Sequence, residues 1–231
     1  MISDNINKTR EKIAQAASRC GRSPEDIKLV AVSKRFPASV IKEAFAGGQT
    51  LFGENYIQEV QQKRAEVPAG VHFHFIGHLQ TNKAKIAAES CTMIETVDRL
   101  KLARVLGKHL EKLSTSMDIL VQVNIGEDSN KSGVSVNDTE KLLLELKSIP
   151  QIRVCGLMTI PPIEPSPEDS RPHFRNLRLL ADELSGKDLF ADDKRIELSM
   201  GMSGDFHIAI EEGATIVRVG TAIFGNRPAR K

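Results

Sequence analysis

Lys34 closes the run Ile27-Lys28-Leu29-Val30-Ala31-Val32-Ser33-Lys34. An apolar, β-branched run of this kind predicts a buried strand. Desolvating an ammonium is costly, so a lysine at its end has two readings. Either the stem packs and the head reaches water, or burial lowers the pKa and exposes a nucleophilic amine that forms Schiff bases with carbonyl groups. Two later segments offer anion chemistry. Ser199-Met200-Gly201-Met202-Ser203-Gly204-Asp205 and Arg218-Val219-Gly220-Thr221-Ala222-Ile223-Phe224-Gly225 bring together small residues, hydroxyls and the amides of a helix start. Such loops cradle phosphate; Gly and Ser also serve ordinary turns. Gly201 and Gly220 permit close backbone approach.

Arg218 shares a strand face with Gly220. It would either donate to a pyridine nitrogen, keeping that nitrogen unprotonated, or form a salt bridge to a carboxylate in the core. Asn55, in Glu54-Asn55-Tyr56, would hydrogen-bond a ring hydroxyl or cap the helix that follows. His72, His74 and His78 have no acidic or cysteine companion in their segment, so structural or pocket roles are preferred to metal binding. Lys131 is expected to be solvated, with anion contact as the alternative.

These residues need a frame. The sequence predicts a helix over 4–19 with Ser3 as its cap, and then a strand ending at Lys34. Helices are expected at 38–46, 55–66, 80–89, around Leu102–Leu113, at 137–148, around Phe174–Leu184, at 205–212 with Ser203 as cap, and as a turn near Ala222. Strands are expected at 50–54, 72–77, 92–97, 119–124, 152–159, 195–200 and 215–219. Strict alternation implies parallel strands, and eight units fit a closed α/β (β/α)8 TIM barrel, which needs roughly 200 residues or more. The open doubly wound alternative lacks its GxGxxG and Walker loops. In a barrel the strand ends and the loops after strands seven and eight are where function and phosphate gather. Those are the positions of Lys34 and the two nests. The stretch 161–167, with four prolines, reads as a stiff loop.

Composition narrows the partners. Across 231 residues, 32 Lys and Arg face 30 Asp and Glu, with no Trp and one Tyr. Neither a basic run nor base-stacking aromatics mark a nucleic-acid surface. Three scattered cysteines without a CxxC pair exclude a zinc knuckle and suit a reducing compartment. No apolar stretch reaches the roughly 20 residues of a membrane span, so a cytoplasmic protein with no membrane partner is expected.

Taken together, Ala31-Val32-Ser33-Lys34, Phe52-Gly53-Glu54-Asn55-Tyr56, His74-Phe75-Ile76-Gly77-His78-Leu79-Gln80, Gly156-Leu157-Met158, Leu198–Ser203 and Arg218–Gly225 resemble the pyridoxal phosphate homeostasis protein family. The resemblance runs from the first helix to the last turn. It implies one barrel over 1–231, like the N-terminal domain of alanine racemase, with pyridoxal 5'-phosphate held as a Schiff base on Lys34. It also implies a phosphate cradle of Ser199, Gly201, Met202, Gly220 and Thr221, a pyridine-nitrogen partner in Arg218, and a pocket-lining Asn55. The family is described as a carrier or regulator of vitamin B6 pools without established turnover.

The residues bear on catalysis too. Racemisation needs an acid/base on each face of the cofactor. In the racemase the second is a tyrosine from a further domain and the partner subunit. The sole tyrosine here, Tyr56, is expected to pack, and no second domain is expected. An arginine on the pyridine nitrogen weakens the ring as an electron sink. The expectation is a monomeric, non-catalytic binder that delivers cofactor to apo pyridoxal phosphate enzymes, with an amino-acid racemase as the alternative.

Overall fold

A computed structural model describes residues 1–128, 131–162 and 164–226. Helix α1 (Ile2–Arg19) leads into strand β1 (Lys28–Val32), and α2 (Ala38–Ala46), β2 (Leu51–Glu54), α3 (Ile57–Arg64), β3 (His72–Phe75), α4 (Ala84–Ser90), β4 (Met93–Val97) and α5 (Leu100–Lys112) follow. The second half runs β5 (Met117–Gln122), α6 (Val136–Leu146), β6 (Ile152–Met158), α7 (Arg171–Leu184), β7 (Glu197–Ser199), α8 (Phe206–Glu211), β8 (Ile216–Val219) and α9 (Thr221–Phe224). The eight strands are parallel and close in chain order. The seam pairs β1 with β8, Val30 opposite Arg218 and Ala31 opposite Val219. The expected (β/α)8 barrel with an extra N-terminal helix is therefore the fold observed.

The period-2 alternation of the strands separates two apolar layers. Val30, Met93, Leu120, Met158 and Ile216 fill the barrel interior. The opposite faces, among them Leu29, Ala31, Phe52, Phe73, Phe75 and Ile119, pack under the helices. The lower end of the interior is closed by Lys28, whose ammonium donates to Glu197 at 2.5 Å, while Thr215 donates to the other Glu197 oxygen at 2.6 Å. Helix α1 buries Ile6, Ile13, Ala16 and Ala17 and is tied to α9 by Asn5, whose amide donates to the Ile223 carbonyl at 2.9 Å.

Several local expectations are corrected. Ser3 lies inside α1 rather than capping it; the N-terminal amine reaches the Asp4 carboxylate instead. Strand β1 stops at Val32, because the Phe36 N–H turns back to the Ser33 carbonyl at 3.1 Å. Leu113 is the C-cap of α5 and 46% exposed, outside the core stripe. Asp205, not Ser203, holds the cap position of α8. Of the proline-rich stretch, residue 163 lies outside the described residues; its end is a 3-10 turn capped by Ser166. Among the described residues no helix is long and apolar enough to cross a membrane.

Candidate functional site

The upper rim of the barrel gathers most of the residues singled out above. Lys34 sits half-buried in the turn after β1. Its neighbour across the seam is the β8 turn: a Cβ placed on Gly220 would lie 3.3 Å from the Val32 carbonyl oxygen. Phe36, in the Lys34 turn, packs against Phe224 of α9 with centroids 5.3 Å apart and the rings tilted by 40°. The two loops after β7 and β8 are joined as well, since the Gly220 N–H donates to the Ser203 hydroxyl at 3.2 Å. Lysine and both nests therefore share one end of the barrel.

The β7 nest depends on Gly201. Its φ of +87° is a left-handed value, and a Cβ there would meet Ala209 Cβ at 2.5 Å, so only glycine fits. Within this loop the Met202 N–H donates to the Asp205 carboxylate at 2.6 Å, which fixes the turn from inside. Gly201 and Gly220 are buried, while Met202 and Thr221 are exposed at the rim.

Arg218 is 3% exposed and points into the barrel interior. Its NH1 donates to Ser199 Oγ at 2.6 Å and its NH2 to the Thr159 carbonyl at 2.8 Å. Ser199 Oγ in turn donates to Glu95 Oε2 at 2.5 Å, and His74 Nδ1 lies 2.7 Å from Glu95 Oε1. Burial alone would raise the Glu95 pKa; the His74 hydrogen bond, the nearby His74 and Arg218 charges and the Ser199 hydroxyl hold it below the usual carboxylate value instead. A carboxylate only accepts, so His74 carries its proton on Nδ1. Burial lowers Arg218, opposed by Glu95 4.0 Å away. The anticipated salt bridge to a core carboxylate is thus real. A guanidinium has five N–H donors, and the bonds to Ser199 and Thr159 use two of them. Ser199, assigned by resemblance to the phosphate cradle, spends its hydroxyl inside the barrel on Arg218 and Glu95.

Asn55 follows β2 and does not cap α3, whose cap position is Tyr56 and carries no side-chain cap bond. Instead its Oδ1 is buried with no hydrogen-bond partner in the protein. Such an atom costs free energy unless something fills its lone pairs. The added Cβ of Gly77 would lie 2.2 Å from the Asn55 carbonyl oxygen, which explains a glycine there. A cleft of about 320 Å³, lined by Asn55, Gly77, His78 and Gln80, opens beside it.

Of the other candidates, Tyr56 and His78 line this same cleft. Tyr56, expected to pack, is 43% exposed at the start of α3, where the chain leaves the barrel. Lys131 donates to the Pro161 carbonyl at 2.7 Å, so it ties two rim loops together rather than standing in water. His72 is exposed, His74 joins Glu95, and His78 faces Ser132 at 3.2 Å; no metal-ligand cluster exists among the described residues. The sequence reading missed Glu95, although a carboxylate inside Met93-Ile94-Glu95-Thr96-Val97 is the same anomaly that marked Lys34 and Arg218.

Comparison with known proteins gives this rim its context. Residues 5–228 match the family model described as alanine racemase, N-terminal domain. The chain is 42% identical over 225 residues to the pyridoxal phosphate homeostasis protein of Aquifex aeolicus, with 97% of each chain covered. It is 41% identical to that of Escherichia coli K12, covering 100% of this chain and 98% of the relative. It belongs to the pyridoxal phosphate homeostasis protein family. A solved member-like structure, PipY of Synechococcus elongatus PCC7942 with pyridoxal phosphate bound, superposes with a TM-score of 0.84 at 34% identity, covering 97% of this chain and all of PipY.

Proposed function

We propose that this protein binds pyridoxal 5'-phosphate as a Schiff base on Lys34 and serves cofactor homeostasis and delivery in the cytoplasm, as a single barrel acting without turnover. The observation that carries the reading is the placement of a half-buried lysine, two joined glycine-containing loops and a buried guanidinium at one end of the barrel. The orphaned Asn55 Oδ1 is an independent sign that a polar ligand completes this rim. The naming of the relatives as homeostasis proteins and the pyridoxal phosphate bound to PipY support the same reading.

In this reading the residues divide the work. Lys34 supplies the amine. The loops of Gly201, Met202, Gly220 and Thr221 cradle the phosphate; the Met202 and Gly220 N–H groups donate to Asp205 and Ser203 within the chain and would exchange those acceptors for phosphate oxygens. Asn55 lines the ring, and the N–H groups of Arg218 beyond those given to Ser199 and Thr159 face the ring nitrogen. Ser199 contributes by fixing Arg218. When bound, the cofactor supplies an aldehyde and an electron-withdrawing ring; a hydrogen bond from an unprotonated-nitrogen partner such as Arg218 limits that withdrawal. Of the acid/base groups near this rim, Glu95 and His74 are locked together, while Tyr56 and His78 line the cleft beside Asn55.

The test pairs two assays on wild-type and Lys34→Ala protein: the absorbance of bound cofactor, and its release to an apoenzyme. Wild-type protein is expected to show the Schiff-base band and to reactivate the apoenzyme; Lys34→Ala is expected to lose the band. Incubation with single amino acids should leave their chirality unchanged. Turnover at the pace of a true racemase would replace the carrier reading with the racemase one, to which the alanine racemase family match lends its weight.

A further inference from the structure

The cofactor reading makes no use of a buried ionic network directly behind Lys34. Lys63, on α3, is 6% exposed and spends all three ammonium hydrogens: on the Ser33 carbonyl at 3.1 Å, Glu54 Oε1 at 2.7 Å and Glu59 Oε2 at 2.7 Å. The Ser33 hydroxyl also donates to Glu54 Oε1, at 2.7 Å. The same Glu59 oxygen that binds Lys63 accepts the Arg35 N–H at 2.8 Å. The residues immediately before and after Lys34 are therefore both held by one network.

What the network holds is a strained turn. Arg35 has φ of +69°, the left-handed region that non-glycine residues avoid. Backbone in this state persists only where its surroundings fix it. The turn itself is closed by the Phe36 N–H on the Ser33 carbonyl, the atom that Lys63 also binds. A buried lysine with two carboxylates is an expensive arrangement for a mere helix–strand contact.

We infer that Lys63 and Glu59 are positioning residues for Lys34, imposing the left-handed turn that presents its amine at the barrel mouth. This rests on the reading of Lys34 as the cofactor lysine. In the step they assist, the neutral amine bonds the aldehyde carbon, and the carbonyl oxygen departs as water with the two amine hydrogens.

The experiment uses the full chain freed of cofactor and follows Schiff-base formation with pyridoxal, which lacks the phosphate and so leaves the nests out of the measurement. Glu59→Ala is the main variant, because its loss leaves the buried Glu54–Lys63 pair in place. Removing a charge-assisted acceptor from the Arg35 N–H should slow the reaction about tenfold. Amide exchange at Arg35 should accelerate in the same variant, a readout that involves no cofactor. Adding Arg35→Gly, which takes up the left-handed conformation unaided, should restore the rate to within about threefold of wild type, a rescue that general destabilisation would not give. Reaction of Glu59→Ala at the wild-type rate, or a slowed variant that Arg35→Gly leaves slow, overturns the inference. Wild-type protein that forms no Schiff base even with pyridoxal 5'-phosphate overturns the cofactor reading itself, and this inference with it.

Discussion

Glu95→Gln isolates the electrostatics beneath the rim. Glu95 is fully buried, accepts from His74 and Ser199, and lies 4.0 Å from the Arg218 guanidinium. Glutamine keeps the shape and removes the charge. Its amide also fits poorly: turned toward His74 it faces another N–H, and turned toward Ser199 it leaves the serine hydrogen without its acceptor. At an effective dielectric near 20, unit charges about 4 Å apart interact by about 4 kcal/mol. Removing one partner of a buried pair costs about 3–5 kcal/mol by experience. The cofactor-free variant should therefore lose about 3–5 kcal/mol in urea unfolding with an unchanged slope, or about 6–20 °C in Tm for a chain of this size. The sign with pH follows from the lowered Glu95 pKa. A carboxylate held lower in the folded state stabilises above its unfolded pKa of roughly 4.3, and that contribution is lost as pH falls through the folded value. The gap between wild type and variant should be level near neutrality and narrow toward acid. A loss under about 1 kcal/mol, or a gap that widens on acidification, would refute the assignment of Glu95 as the ionised counter-charge of Arg218.

Three further outcomes follow from neighbouring groups. Burial pushes Glu54 up to about 7 despite Lys63 and Ser33; a carboxyl raised in the folded state stabilises below its unfolded pKa and loses that contribution as pH rises through 7, so Glu54→Gln should flatten the fall in stability between pH 5 and 8, measured by urea midpoints. Gly201→Ala must accept a φ of +87° and a 2.5 Å contact with Ala209; it should lose about 1–3 kcal/mol in thermal unfolding and retain cofactor less well, and a neutral result would remove the β7 loop from the site. Asn55→Ala deletes a buried oxygen that has no protein partner; it should cost under about 1 kcal/mol without cofactor yet weaken pyridoxal phosphate binding about tenfold by titration, and an unchanged affinity would mean that Oδ1 meets no ligand.

The barrel was legible because each strand is a short apolar run and each helix carries its stripe, as in Leu102, Leu106 and Leu110 of α5. The rim was legible through residues that violate those patterns: a lysine and an arginine where apolar side chains belong, and glycines where loops begin. Glu95 carried the same signal and was passed over among its β-branched neighbours. Asn55 could not be placed, because capping and ligand contact share one residue type, and only the geometry of the Tyr56 cap separates them. Lys63 gave no signal at all. A lysine on an amphipathic helix is ordinarily solvated, and its burial follows from long-range packing of α3 against Ser33 and Glu54. The strand end at Val32 escaped for a similar reason, since the turn at Ser33–Phe36 is held by Glu59 from another element.

The central claim is that Lys34 holds the cofactor, and one measurement meets it directly: borohydride reduction of protein equilibrated with pyridoxal 5'-phosphate, followed by peptide mapping by mass spectrometry. The account predicts a single stoichiometric pyridoxyl addition on the peptide containing Lys34, absent from Lys34→Ala protein. Addition centred on another lysine, or no addition while that cofactor remains bound, would contradict it.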